Sequence, residues 1–277
     1  MISVVIMAHN RRNFLLYAVK SVLNQIMIDK DKYEIIVVKN FEDDNIDRFL
    51  EQNNVINIIE KDYRQGAKIF RGAKEAKHSI IALLDDDDMF HNTKLNVILQ
   101  VFSTYRNVIY YHNNFATISS KGEPVPNPFL LIGEKEFRVF STDEKLKYID
   151  YFDKFHISIN NSSIVIKKDL VIQYENIKLL ENLSDYALFF AALDSKGDIV
   201  TDGRALTYYR LHSGQSDFGG SLDSLHQFME NYANTLERKI RSINLLCDTF
   251  KHNISIYNFC LKKRRIFYLL YLSLIHI

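Results

Sequence analysis

The chain has 277 residues, 47% of them hydrophobic and 25% charged, with 35 Lys+Arg against 34 Asp+Glu for a net charge of +1. This composition excludes a disordered chain, a collagen-like fibre and a disulfide mini-scaffold, and near neutrality argues against nucleic acid as the main partner. Two cysteines, Cys247 and Cys260, cannot build a zinc site alone, and nine glycines without a G-x-G-x-x-G exclude a dinucleotide fingerprint.

No signal peptide precedes the first apolar run, so a cytoplasmic protein is expected. Ile2–Met7 reads as a buried strand, being short and β-branched. A helix follows, with Phe14, Leu15, Ala18, Val19, Val22 and Leu23 on one face. Tyr33–Val38 and Val55–Ile59 are the next strands, and Ala67–Lys77 a helix opened by Gly66. Ser79–Leu84 is a fourth strand, and Asn92–Tyr105 a helix with Asn92 as N-cap. Strands alternating with helices predict an α/β fold with a mostly parallel sheet covered on both faces. Pro124, Pro126 and Pro128 mark an extended loop, since each fixes φ and removes a donor. The Gly-containing stretch His212–Ser224 predicts a flexible connection, and Leu225–Ile277 reads as helices.

In an open α/β sheet, ligands bind beyond the carboxyl ends of the strands. Ala8, His9, Asn10 and Arg11 follow the first strand there, and Lys39 and Asn40 the second. After the fourth comes the run Asp85, Asp86, Asp87, Asp88. Four adjacent carboxylates at the end of a buried strand repel one another and lose solvation. A divalent cation, Mg²⁺ or Mn²⁺, would relieve both, and such an ion commonly bridges to substrate phosphates. The plainer reading is a solvated acidic turn capping the next helix, although capping needs one Asp and not four.

The stretch LLDDDDMFHNTKLNVIL resembles the D-x-D segment of glycosyltransferase family 2. ISVVIMAHNRRNFLLYAVKSVLNQ resembles that family's first strand and helix, and NNSSIVIKKDL its acceptor-side strand. LSDYALFFAALDSKGDIV is similar to the helix bearing its catalytic acid, and ALTYYRLHSGQS to its Y-R-x-H motif. The five segments occur in order over most of the chain, from Met1 to Ser216. The resemblance implies a GT-A fold over residues 1–215, with a nucleotide-sugar half at 1–118, an acceptor half at 119–215 and a helical region at 216–277. It also implies inverting transfer from a nucleoside-diphosphate sugar, UDP by default, to a glycan, glycoprotein or lipid-linked acceptor. Asp185 then matches the general base, with Glu181 in reserve. Asp87 and His212 match metal-contacting positions, and Asp85 and Asp86 positions that reach the ribose or the metal's water. Arg210 would touch the diphosphate or pair with the acidic run.

This chain departs from the family pattern in three places. Lys39-Asn40-Phe41-Glu42 stands where two acids, Gly and Ser are usual, so that Asn40 would replace an Asp in reading the base. Ala8-His9-Asn10 lacks the usual Pro and aromatic residue. The A-R-N run is missing from GAKIFRG, where Lys68 and Arg71 either contact the nucleotide or lie on a solvated helix face. These departures keep a second reading open, a non-catalytic nucleotide-sugar-binding or partner subunit. A haloacid dehalogenase-type enzyme would carry D-x-D on its first strand, not its fourth. Near the end, KKRR precedes an apolar run of about 12 residues, short of the roughly 20 that cross a bilayer. It predicts either peripheral contact with an anionic membrane or a packed or self-associating helix.

Overall fold

The computed structural model describes residues 1–126, 135–212 and 225–275. Pro128 and positions 213–224 of the expected flexible connection lie outside the described residues. The elements run β1 (Ile2–Ala8), α1 (Arg12–Leu23), β2 (Tyr33–Lys39), α2 (Asp44–Gln52), β3 (Ile56–Ile59), α3 (Gln65–Glu75) and β4 (Ile80–Asp85). Then come β5 (Met89–Phe90), α4 (Lys94–Thr104), β6 (Val108–Ile118), β7 (Arg138–Phe140), α5 (Ile149–Lys154), β8 (Ile164–Lys167) and α6 (Lys168–Gln173). The last are α7 (Ser184–Asp194), β9 (Asp198–Arg210), α8 (Leu225–Thr249) and α9 (Ile254–Ile275).

One sheet joins all of the described strands in the order β3-β2-β1-β4-β8-β6-β9-β5, with β7 also paired to β9. β1 lies parallel to β2 and β4, β2 to β3, and β6 to β9. β8, β5 and β7 run antiparallel to their neighbours. Alternation along β1 divides the core, because successive strand side chains point to opposite faces. Val4, Ile6 and Ala8 pack with Leu15, Val19 and Leu95 on the face covered by α1 and α4. Val5 and Met7 pack with Ile69, Ala73 and the α7 residues on the other face. α8 and α9 belong to that second core through Ile243, Leu246, Ile256 and Phe259, with Phe250 of the turn between them. Phe190 of α7 meets the rings of Phe250 and Phe259 edge-on, each with centroids 5.7 Å apart. α7 is therefore buried on nearly every side, although its sequence has little amphipathic character.

Several expectations are corrected. α3 begins at Gln65 rather than being opened by Gly66. That glycine is there for close approach, since a Cβ would lie 1.8 Å from the Ile177 carbonyl oxygen. α4 begins at Lys94, and Asn92 does not cap it: its carbonyl accepts the Ile26 N–H at 2.8 Å within the preceding turn. α2 was not foreseen in the polar run after β2. Asp43 caps it, accepting the Asn45 and Ile46 amides at 3.2 and 3.1 Å. Pro124 is extended as expected and bridges Ile118, while the Val125 amide donates to Thr117 O at 3.0 Å.

In the basic run of α9, Lys262 lies 3.4 Å from Asp153 of α5, and Lys263 also pairs with that carboxylate. Beyond them Ile266, Tyr268, Leu269, Leu270 and Leu272 are exposed. Among the described residues no helix is long and apolar enough to cross a membrane.

Candidate active site

The parallel register brings the ends of three strands to one level: Ala8 pairs with Lys39, and Met7 with Asp85. The acidic run turns at this edge, from the end of β4 into β5. β5 pairs with β9, Met89 opposite Tyr208, so the last residues of β9 arrive beside the turn. The Arg210 amide donates to Asp88 Oδ1 at 2.9 Å. Two residues on, His212 Nε2 lies 3.0 Å from Asp87 Oδ2. The His212 ring rests against Phe14 of α1, centroids 4.9 Å apart. Residues 125 positions apart in sequence are thus joined by strand pairing.

The four aspartates have different surroundings. Burial, reinforced by the charge of Asp87, pushes Asp85 up to about 7. Burial likewise pushes Asp86 up to about 8 and raises Asp88. Burial acts on Asp87 in the same direction, yet the His212 hydrogen bond and the Arg11 charge together hold it below the usual carboxylate range. Asp87 is the member of the run that keeps its charge most readily. Arg11, the residue before α1, spans the cluster: Nη2 lies 2.9 Å from Asp86 Oδ1, and Nη1 bonds Asp87 Oδ2. Burial opposes its charge too, but the carboxylates outweigh burial and raise its pKa. The His9 amide donates to Asp86 Oδ2 at 2.8 Å.

Asp85 is anchored on its other side. Its amide donates to Ser162 Oγ at 3.0 Å, and its Oδ1 accepts from Gln65 Nε2 at 3.3 Å. Ser184 Oγ donates in turn to Gln65 Oε1 at 2.7 Å. Next to Ser184, at the N-terminus of α7, Asp185 Oδ2 accepts the Asn160 amide at 3.2 Å. Leu183 enters α7 with φ of 58°, a left-handed conformation uncommon for a branched residue. Asp185 thus stands at the same sheet edge as the aspartate run, and its charge helps to raise Asp85.

The other expected residues divide. Asn40 Oδ1 accepts the Asn10 amide at 3.2 Å, so the ends of β1 and β2 are tied at the site. Burial first, then the charges of Lys68, Arg11 and Arg238, hold His9 below its ordinary value. Lys39 is fully buried and pairs with Asp47 at 2.8 Å, bracing α2. Lys68 is 1% exposed and donates to the Asp62 and Tyr63 carbonyls at 3.1 and 3.0 Å, so it props the loop after β3. Arg71 pairs with Glu75 at 3.2 Å on an exposed face of α3. It lies about 9 Å further along that helix than Gln65, at 1.5 Å per residue. Arg210 is 2% exposed; its Nε donates to Asp87 O at 2.7 Å and its Nη1 to the Ser119 and Ser120 carbonyls at 3.2 and 3.1 Å. That places it beneath the acidic turn as a brace for the turn's backbone. Glu181 forms a two-point pair with Arg241 of α8 at 3.2 and 3.1 Å.

Sequence reasoning missed Gln65, which carried no signal, and Asn160, whose role depends on a φ of 74°. It also missed Lys94, fully buried and bonded to Ser162 O and to Thr207 Oγ1 at 2.5 and 2.9 Å.

Among the described residues no group of three or more His, Cys, Asp or Glu side chains is placed to hold a metal ion. Asp87 and His212 still fit a divalent ion of the Mg²⁺ type, which binds through one or two side chains and completes its shell with water and phosphate oxygens. Their 3.0 Å separation is also one that two adjacent ligands of a small ion adopt.

The sheet order, the acidic turn at its carboxyl edge and the returning strand define a GT-A fold. Solved structures share it. TarS of S. aureus has a TM-score of 0.60 at 14% identity, covering 90% of this chain and 42% of that one. Its 1–349 portion in complex with UDP-GlcNAc has a TM-score of 0.60 at 14% identity over 90% of this chain and 80% of that one. The profile of Glycosyl transferase family 2 matches residues 3–165, and the chain belongs to that family. An uncharacterized glycosyltransferase of Rickettsia conorii is 32% identical over 132 residues, covering 44% of this chain and 20% of the relative. One from Rickettsia bellii is 29% identical over 126 residues, covering 44% of this chain and 18% of the relative. The chain thus spans about a fifth of the length of these curated relatives.

Proposed function

We propose that this chain is a hexosyltransferase that moves a sugar from a UDP-sugar to a hydroxyl of a glycan, glycoprotein or lipid-linked acceptor, with inversion at the anomeric carbon. The observation that carries the reading is one sheet edge holding both the Asp87–His212 pair, 3.0 Å apart, and the Asp185 carboxylate. TarS is described in complexes with UDP and with UDP-GlcNAc, which supports uridine as the base here.

In this reading Asp185 takes the proton from the acceptor hydroxyl as its oxygen attacks the anomeric carbon from the side opposite the leaving diphosphate. Attack from that side inverts the centre. The Asn160 amide holds the carboxylate in one orientation. Asp87 and His212 are the residues that would hold a divalent cation, which when bound offsets charge on the leaving phosphate. Asp85 and Asp86 face the ribose. Asn40 and the His9-Asn10 turn border the base, with Asn40 in place of the acid common in the family. Arg210 keeps the acidic turn in shape from below and does not need to touch the diphosphate.

Calorimetric titration of wild type and Asp87→Ala with UDP, GDP and dTDP, each with and without Mn²⁺, tests this. Metal-dependent binding of UDP, lost in the variant, is the expected result. Absence of binding to all three nucleotides would favour a non-catalytic partner subunit.

A further inference from the structure

Arg11 is in an unusual position for a residue bordering a cation site. Its neighbour Arg12 points elsewhere, pairing with Asp43 at 3.2 Å and lying 4.5 Å above the Phe41 ring. Arg210 reaches the acidic turn through the Asp87 carbonyl, not its carboxylate. Of these three arginines Arg11 is the one whose side chain lies on the carboxylates of the run, ion-paired with Asp86 Oδ1 at 2.9 Å and hydrogen-bonded to Asp87 Oδ2. Asp87 Oδ2 also meets His212 Nε2 at 3.0 Å. A carboxylate oxygen has two lone pairs, and on this atom both are directed at partners. An ion held between Asp87 and His212 would share that oxygen with the Arg11 guanidinium, and repulsion between the two positive charges drives Arg11 off it.

The side chain is built to leave. It is 33% exposed, whereas Asp86 and Asp87 are 0% and 8% exposed. It follows Asn10, whose φ of 59° is left-handed, and it precedes the first turn of α1 with no side-chain cap bond. Once released, its planar fork matches two phosphate oxygens as well as it matches two carboxylates.

We infer that Arg11 is an exchangeable counter-cation. It neutralises Asp87 and rests beside Asp86 while the donor is absent, and moves onto the donor's diphosphate when a divalent cation takes its place on Asp87. This rests on the proposed nucleotide-sugar reading and adds an interdependence to it. The ion and the nucleoside diphosphate each bind weakly alone and strengthen one another by the same factor, as linkage requires.

The test is direct titration of Mn²⁺, read by calorimetry and by the paramagnetic signal of free Mn²⁺, into wild type, Arg11→Met and Arg11→Lys, with and without saturating UDP. Wild type should bind Mn²⁺ weakly alone and about tenfold more tightly with UDP, within the usual range of couplings between sites. Arg11→Met should bind Mn²⁺ alone about tenfold more tightly than wild type and gain less from UDP. Arg11→Lys, a point charge unable to span both carboxylates, should fall between them. Matching thermal melts show that the variants are folded. Equal Mn²⁺ affinity in wild type and a folded Arg11→Met overturns the inference. Failure of UDP to bind wild type at all would instead count against the nucleotide reading, while the comparison of Mn²⁺ alone still decides the role of Arg11.

Discussion

Asp185 and Asn160 are tied through the backbone: Asp185 Oδ2 accepts the Asn160 amide at 3.2 Å, and Asp185 Oδ1 accepts the amide of Tyr186 at 2.9 Å. The two amides fix the orientation of the carboxylate at the N-terminus of α7. Asp185→Asn preserves the shape and an acceptor for Asn160 while removing the base. The expected result is a fall in kcat of about 10²–10⁴, with UDP affinity unchanged. Steady-state kinetics with paired UDP titrations would check it, and a loss of UDP affinity equal to the loss of kcat would assign Asp185 to donor binding instead.

Asp87 holds Arg11 and His212 together, and burial raises its three neighbours toward neutrality. Asp87→Asn removes the charge that Arg11 pairs with and that the His212 ring faces. Turnover should fall by at least about 10²-fold, the scale of losing one electrostatic contact to the transition state. The fold should survive, because the substitution also relieves repulsion within the run. A melting temperature lowered by more than a few degrees would instead show the run to be chiefly a structural brace.

Much of this site was legible because its charged parts sit at strand ends, and short apolar β-branched runs locate those ends. The short β-branched run of β1 and the position of Asp85 to Asp88 after β4 give the edge and its acidic charge. The alternatives for Arg71, Lys68 and Arg210 stayed open in the sequence for one reason: residue type identifies a cation, but only packing tells whether it faces solvent, a carbonyl or a ligand. Arg71 faces solvent with Glu75, and Lys68 and Arg210 face carbonyls. Gln65 and Asn160 were illegible because their roles arise from contacts across the fold. α2 was hidden because Asp43, an ordinary N-cap, reads in sequence as one more acid near a site.

Gly72 tests the packing that positions β1. A Cβ there would lie 2.3 Å from Val5 Cγ1, so α3 lies flat on the strand that ends at the site. Gly72→Ala gains helix propensity of about 1 kcal/mol, but overpacking a filled core costs about 1–3 kcal/mol. A net loss of stability in urea melts is expected, with an unchanged slope against denaturant. A gain in stability would mean that the α3–β1 contact can relax.

Far from the site, Asp194 closes α7 onto the turn between α8 and α9. It accepts from Tyr174 Oη at 2.7 Å and Asn253 Nδ2 at 3.0 Å, and His252 Nε2 lies 2.8 Å away. Burial opposes its charge, yet these three partners outweigh burial and hold Asp194 below the usual range. A carboxylate depressed in the folded state adds stability that is fully present above its unfolded value of about 3.9. That stability disappears as pH falls through the lower folded value. Asp194→Asn should therefore melt several degrees below wild type at pH 7, at about 1.5–3 kcal/mol for bonds to a charged group. The gap should close near pH 3 and below, where wild type loses the same charge. Because Asp194 lies in neither the acidic turn nor the Asp185 end of α7, UDP affinity at pH 7 should not change. A gap of the same size at both pH values would show that the clasp works through shape and neutral hydrogen bonds alone.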